Sequence, residues 1–135
     1  IAGAASGGEI SRLMLSVKSI VAQLFSLPAI IFDEIDTGVS GDVAARIAAM
    51  MDRMSSKLQV ITITHLPQVA ARGATHFKVF KTDDESATHT SIDRLTDDQR
   101  VDELALMLSG NSTDEAARAN ARALLAMADN DPKNK

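Results

Sequence analysis

Cysteine is absent from the 135 residues, so neither a disulfide framework nor a thiolate metal centre is available. A basic excess is absent too. Acidic residues number 18 against 14 basic ones, the net charge is -4, and no global field favours nucleic acid. Any DNA contact would need a local patch, and the sequence shows none. No apolar run reaches the roughly 18 residues that suggest a membrane-spanning helix. Nothing resembles a signal peptide either, so a soluble protein with no membrane partner is expected. No internal repeat is evident. Also missing is the phosphate-wrapping loop Gly-x-x-x-x-Gly-Lys-Ser/Thr: none of the six lysines follows a glycine.

What is present is ordinary for a globular domain, 45% apolar and 24% charged, at a length that can bury a core. The first residue is Ile1 and residues 1–9 already read as a motif, so a fragment of a longer chain is expected. Residues 1–128 would form one lobe and 129–135 a polar, frayed tail.

The stretch Ala29-Ile30-Ile31-Phe32-Asp33-Glu34 organises the rest. Four apolar residues after Pro28 suit a strand at 29–33 buried on both faces, as in a parallel sheet. Asp33 and Glu34 then emerge at its C-terminal end, where open α/β sheets bind ligands. Neighbouring side chains on a strand point in opposite directions, which would give the two acids different work. Upstream, Ser6 and Glu9 read as a capping box. The helix after them places Ile10, Leu13, Met14, Val17, Ile20, Val21 and Leu24 on one stripe expected to be buried, and ends at Leu27-Pro28. Downstream, a loop leads to a helix capped by Ser40 or Asp42 and running to about Ser55, with Val43, Ile47, Met50, Met51 and Met54 as its stripe.

Leu58 to Thr64 is rich in β-branched residues and reads as a second buried strand, with His65 at its end. Pro67 fits the first turn of a short helix and Gly73 its C-terminal cap. Strand, helix and strand with this crossover predict a right-handed parallel unit. Thr75–Lys81 and Thr88–Leu95 suit an antiparallel hairpin, in which His76 and His89 read as surface residues. Thr96 with Gln99, and Ser112 with Glu115, are capping boxes for two further helices, the first stopping at Ser109-Gly110 and the second, alanine-rich, reaching about Met127. The expected fold is α/β: mostly parallel strands flanked by helices, with an antiparallel hairpin and two C-terminal helices.

Three short segments carry chemistry. Ser6-Gly7-Gly8-Glu9 at a helix start offers outward backbone N–H groups, a serine hydroxyl and the close approach glycine allows, which suits an anion such as a phosphate. Asp33 is suited to hold Mg²⁺, directly or through a water, because hard cations take oxygen ligands. Glu34 is suited to orient and deprotonate an attacking water, work typically worth about 10²–10⁴ in rate. At the end of the neighbouring strand, His65 could reach a terminal phosphate or that water.

Taken together, these segments resemble the C-terminal half of an ABC-type ATPase head. Ser6-Gly7-Gly8-Glu9 matches its signature motif, Ile30-Ile31-Phe32-Asp33-Glu34 its Walker B strand, and His65 its switch histidine. The wider wording is similar to the bacterial SMC-like branch that serves DNA double-strand-break repair. That wording is Ala-Ser-Gly-Gly-Glu-Ile-Ser-Arg from Ala5, Phe-Asp-Glu-Ile-Asp-Thr-Gly-Val-Ser-Gly from Phe32, and Thr-His-Leu-Pro-Gln-Val-Ala from Thr64. Transporter ATPases usually carry Asp-Glu-Pro where Asp-Glu-Ile-Asp stands here. The resemblance implies ATP and Mg²⁺ as ligands, with the phosphate-binding loop in an N-terminal half of the same head. It also implies a second head that sandwiches ATP in a homodimer, DNA engaged through the full-length protein, and a cytoplasmic, nucleoid-associated location. On it, Ser6–Glu9 face the nucleotide of the partner head. Where transporter-type relatives carry the D-loop aspartate, Ser40 stands, and Asp36 and Asp42 are the nearby candidates for that nucleotide-facing role. The alternatives are another SMC-type or transporter-type ATPase half, or a non-catalytic dimerisation module of the same fold.

Overall fold

The structure, a computed structural model, describes residues 7–34, 38–39, 41–83 and 88–129. Its elements follow the order α1 (Gly7–Leu24), β1 (Ala29–Asp33), α2 (Gly41–Ser55), β2 (Gln59–Ile63), α3 (Pro67–Ala70), β3 (Phe77–Asp83), β4 (Thr88–Arg94), α4 (Asp97–Ser109) and α5 (Glu115–Asp129). The expected α/β class holds. Strands β1 and β2 pair in parallel, with Ile31 opposite Ile61 and Asp33 opposite Ile63, while β3 and β4 form a separate antiparallel pair. None of the described helices is long and apolar enough to cross a membrane.

One face of the parallel pair is covered. Phe32 is fully buried there among Leu15 of α1, Ile47, Ala48, Met51 and Met54 of α2, and Val69 of α3, with Ile30 and Val60 packed alongside. The other face is open: Ile31, Ile61 and Ile63 are 58%, 44% and 51% exposed. The expectation of strands buried on both faces is therefore corrected. Continuous β-branched runs are what doubly covered strands require, and within this chain only one cover is supplied.

The same correction applies to α1. Its stripe from Ile10 to Leu24 faces outward, with Leu13 64% and Leu24 75% exposed, and the helix packs instead through Leu15, Ser19 and Ala22. These follow the i, i+4, i+7 spacing on a narrower face. Lys18 places its Nζ 5.7 Å from the Phe32 ring centre, within cation–π range. Ser19 donates its hydroxyl to the Met54 sulfur at 3.0 Å, and Thr62 does the same to Met51 at 3.5 Å. The packing of α1 on α2 is loose: an open cleft of about 1000 Å³ lies between their C-terminal halves, lined by Ser19, Ala22, Gln23, Met50 and Met54 among others. α1 also ends earlier than Leu27-Pro28, through a turn in which Ser26 takes a left-handed φ of 50°.

A second core joins α4 to α5, where Val101, Leu104 and Ala105 meet Ala117 and Ala121, together with Ala71 that follows α3. Alanine on α5 lets the two helices approach closely. The Thr96–Gln99 capping box forms in full, and Gly110 closes α4 at a φ of 84°. At α5 the cap is not Ser112. Asp114 accepts the Ala117 N–H at 2.9 Å, and Ser112 instead accepts the Asp114 N–H, so the helix begins two residues later than its Ser-x-x-Glu pattern suggests. Helix α5 also runs through Asp129, past the proposed boundary at 128. Gly73 does not cap α3; Ala71 does, in ordinary right-handed geometry.

Helix α4 bonds to three neighbours with nearly successive side chains. Arg100 reaches the backbone after α3, Asp102 meets Arg118 of α5 at 2.6 Å, and Glu103 bonds Lys78 of β3. His76 is drawn into this cluster. It is half-buried rather than a surface residue, and its Nδ1 has no hydrogen-bond partner among the described residues. Burial and then the Arg100 guanidinium lower its pKa from the ordinary 6.5, against an opposing pull from Glu103.

The sign of the resulting pH dependence follows directly. The unfolded chain holds a proton on His76 that the folded chain releases, so stability is full above 6.5 and declines as pH falls below it. Asp114, held low by its hydrogen bonds to Ala117 and Ser112, loses its contribution only below the ordinary carboxylate range. Urea unfolding of the chain should therefore show weaker stability at about pH 5 than at about pH 7.5, and His76→Gln should flatten that interval. An unchanged slope in His76→Gln would count against the buried imidazole as its source.

Candidate functional site

The C-terminal ends of β1 and β2 carry the candidate residues. Asp33 is the last residue of β1 and Ile63, its partner, the last of β2. One step further, the Glu34 N–H donates to the Ile63 carbonyl at 2.9 Å, extending the ladder past both strands. The parallel register thus brings Asp33 and Glu34 to one edge with Thr64 and His65. Asp33, Glu34 and His65 are all exposed there.

The two acids do not diverge through strand alternation. Glu34 leaves the strand with a φ of 46°, a left-handed conformation uncommon outside glycine, asparagine and aspartate. It is this turn that separates the course of the chain at Glu34 from that at Asp33. Strained φ values cost of order 1–3 kcal/mol and cluster at functional sites.

His65 sits in a bend between β2 and α3. Thr64 accepts the Leu66 N–H on its Oγ1 at 3.0 Å, closing a serine/threonine-type turn around the histidine. The first turn of α2 lies close by: a Cβ on Gly41 would stand 3.7 Å from the Gln68 side-chain nitrogen of α3. Thr64 and Gln68 stand within the quoted wording from Thr64 to Ala70, but the sequence assigned neither a role. A hydroxyl two residues before an amide that lacks a helical partner is the signal for Thr64, whereas Gln68 is placed by tertiary packing alone.

Gly7, Gly8 and Glu9 form the first turn of α1. The helix meets the core first at Leu15, about 12 Å further along its axis at 1.5 Å per residue. Ser6, Asp36 and Ser40 lie outside the described residues, and the Ser6 cap with them.

Carboxylate oxygens suit Mg²⁺. Among the described residues no three His, Asp or Glu side chains gather to hold a metal unaided. Such an edge fits a cation that draws most of its ligands from water and substrate phosphate, as Mg²⁺ does at phosphoryl-transfer sites.

No family model matches the chain. Individual relatives do. It is 44% identical over 122 residues to the DNA repair protein RecN of Deinococcus radiodurans, and 44% identical over 125 residues to the DNA repair protein RecN of Streptomyces coelicolor. Over these spans the chain is similar to the RecN proteins. To that of Vibrio cholerae it is 42% identical over 125 residues. These matches take in 90% to 93% of the chain but only 21% to 23% of each relative, so the chain spans about a fifth of the length of the curated relatives it matches. A solved structure from work on ATP-driven dimerization and DNA-stimulated activation of SMC ATPases superposes with a TM-score of 0.63 at 19% identity, over 81% of this chain and 65% of that one. The fold is that of an SMC-type ATPase head.

The left-handed backbone at Glu34 has a measurable correlate. Asparagine tolerates that region better than glutamate and a β-branched residue tolerates it worse. Both replacements remove the glutamate's own interactions, so they are compared with each other: Glu34→Asn should be more stable than Glu34→Val by roughly 0.5–1 kcal/mol, as read from urea midpoints. Equal midpoints would show that the local φ costs nothing.

Proposed function

We propose that the chain is the C-terminal lobe, residues 1–128, of an ATPase head that binds and hydrolyses ATP in DNA double-strand-break repair once joined to the rest of its protein. The observation that carries this reading is the gathering of Asp33, Glu34 and His65 at one end of a parallel strand pair, in a chain whose sequence follows RecN. Phosphoryl transfer to water needs neutralised phosphates and a positioned nucleophile. Asp33 holds Mg²⁺, directly or through water, and the cation supplies charge neutralisation. Glu34 orients the attacking water and takes its proton. His65 contacts the terminal phosphate or that water.

Ser6-Gly7-Gly8-Glu9 serves the ATP of a second head, as in the ATP-sandwiched homodimer that the resemblance implies. One observation favours this arrangement over action in cis: Gly7–Glu9 lie about two turns of α1 beyond its first core contact. Asp36 and Ser40 are the further candidates for binding the nucleotide. The N-terminal half of the same head supplies the phosphate-binding loop and covers the apolar residues left open on α1 and on the sheet. Patches of that extent mark interaction surfaces. DNA is engaged through the full-length protein, which works in the cytoplasm at the nucleoid.

Two experiments test the reading. The isolated 135 residues should show no ATP hydrolysis, at most weak nucleotide affinity, and self-association through the open face in sedimentation. Low-micromolar binding of Mg-ATP by this chain alone, measured by isothermal titration, would reveal a different nucleotide site and overturn the division between halves. In the full-length protein, Glu34→Gln should retain ATP and stall hydrolysis by roughly 10²–10⁴, whereas Asp33→Asn should weaken the Mg²⁺-dependent part of binding. Equal loss of nucleotide binding in both variants would refute the separate roles of the two acids.

A further inference from the structure

We propose that Arg100 is a positioning residue for His65, acting through helix α3, whose C-terminal carbonyls it holds. The inference rests on the ATPase reading above only for its kinetic test.

Helix α3 has four residues, a single turn. One turn does not sustain itself, because nucleation fixes several dihedrals for one hydrogen bond. Its N-cap residue, Leu66, offers no side-chain bond, so α3 depends on its surroundings at both ends. Pro67 and Val69 bury its inner side. At its C-terminal end, the Arg100 Nη2 lies 3.2 Å from the Ala70 carbonyl, 2.7 Å from that of Ala71 and 2.5 Å from that of Gly73. Terminal carbonyls carry the negative end of the helix dipole, and a guanidinium reaching them from another helix acts as a cap in trans. Hydrogen bonds to a charged donor are roughly twice as strong as neutral ones. A second tie, Arg72 to Asp52 of α2, is longer at 3.6 Å.

Only Thr64, His65 and Leu66 separate the end of β2 from the start of α3. The Thr64–Leu66 bond closes those three residues into one turn. The place of His65 is therefore set by a strand on one side and a one-turn helix on the other. The strand is fixed by its register with β1. The helix has no such ladder, and its far end is held by the Arg100 bonds together with Ala71 in the second core and the longer Arg72–Asp52 pair. The core of α4 and α5 is built from Val101, Leu104, Ala105, Ala117 and Ala121, with Ala71 packed into it. All three bonds fall on the one Nη2 nitrogen, so a lysine ammonium can replace part of them.

The test is a double-mutant cycle in the full-length protein, pairing Arg100→Met with His65→Ala. Arg100→Met should lower kcat roughly ten- to a hundredfold, the size expected of a small displacement near the chemistry. KM for ATP should change by less than about twofold, and Arg100→Lys should recover part of the loss. In the His65→Ala background, Arg100→Met should cost less than about a further twofold, because the residue it positions is already gone. Full additivity, or an unchanged kcat in folded Arg100→Met, overturns the proposal. If Arg100→Met does not fold, Arg100→Lys takes its place in the same cycle, with a smaller loss expected and non-additivity with His65→Ala as the criterion. Absence of hydrolysis by the unmodified full-length protein would overturn the ATPase reading alone. Positioning is then decided by hydrogen exchange: the amides of residues 68–71 should exchange about tenfold or more faster in the Arg100 variant while β3 and β4 stay unchanged. Equal exchange at 68–71 overturns it.

Discussion

Five residues of β1 lie in parallel register with five of β2, and the Glu34 N–H carries the ladder one bond further onto Ile63. Everything assembled at the candidate site depends on that alignment. Parallel pairing sends both chains off the sheet at the same edge, so two acids and a histidine separated by thirty residues of sequence meet without any contact dedicated to bringing them together. The crossover through α2 makes the pairing possible, since parallel strands need a connection of a dozen or more residues. A slip of one residue would turn Phe32 from the core to the open face. Burial of that ring against Leu15, Ile47 and Met51 is what holds the register.

The molecule is two small cores joined at α3 rather than one large one. Phe32 and the α2 methionines centre the first, and the alanine-lined contact of α4 with α5 the second. Ala71 belongs to the second core while Val69, two residues earlier, belongs to the first. The turn bearing His65 leads straight into that junction. Helix α1 is held differently. It touches the first core through three side chains and leaves its broader apolar side to solvent, so its position owes least to this chain's own packing.

Much of the fold was legible in the residues. Strand β1 falls at 29–33 as its apolar run and Pro28 predicted, and Thr96 with Gln99 built the capping box that the pattern announced. What misled was burial. Periodicity identifies an apolar face but not what covers it, and α1 shows the difference: its wide stripe is a real helical face, yet the chain packs it through Leu15, Ser19 and Ala22 instead. Likewise, the apolar runs at 29–33 and 59–63 correctly marked strands but not their burial, since one face of the pair is exposed. At α5, two cap-forming side chains stood two residues apart, and only the geometry could choose Asp114 over Ser112. The candidate edge was legible because strand ends are set by composition. Arg100 was not, because its partners are backbone carbonyls nearly thirty positions away and carry no sequence signal.

The methionines of the first core are also hydrogen-bond acceptors. Met54 and Met51 take bonds from Ser19 and Thr62, and both are nearly sealed from solvent. Oxidation of a thioether to its sulfoxide turns a flexible apolar group into a polar, bulkier one. Met54 already borders the open cleft between α1 and α2, whereas solvent peroxide reaches the Met51 sulfur only when the core opens. Met51 thus forms an internal chemical clock, whose rate of sulfoxide formation, set against that of Met54, counts how often the core opens.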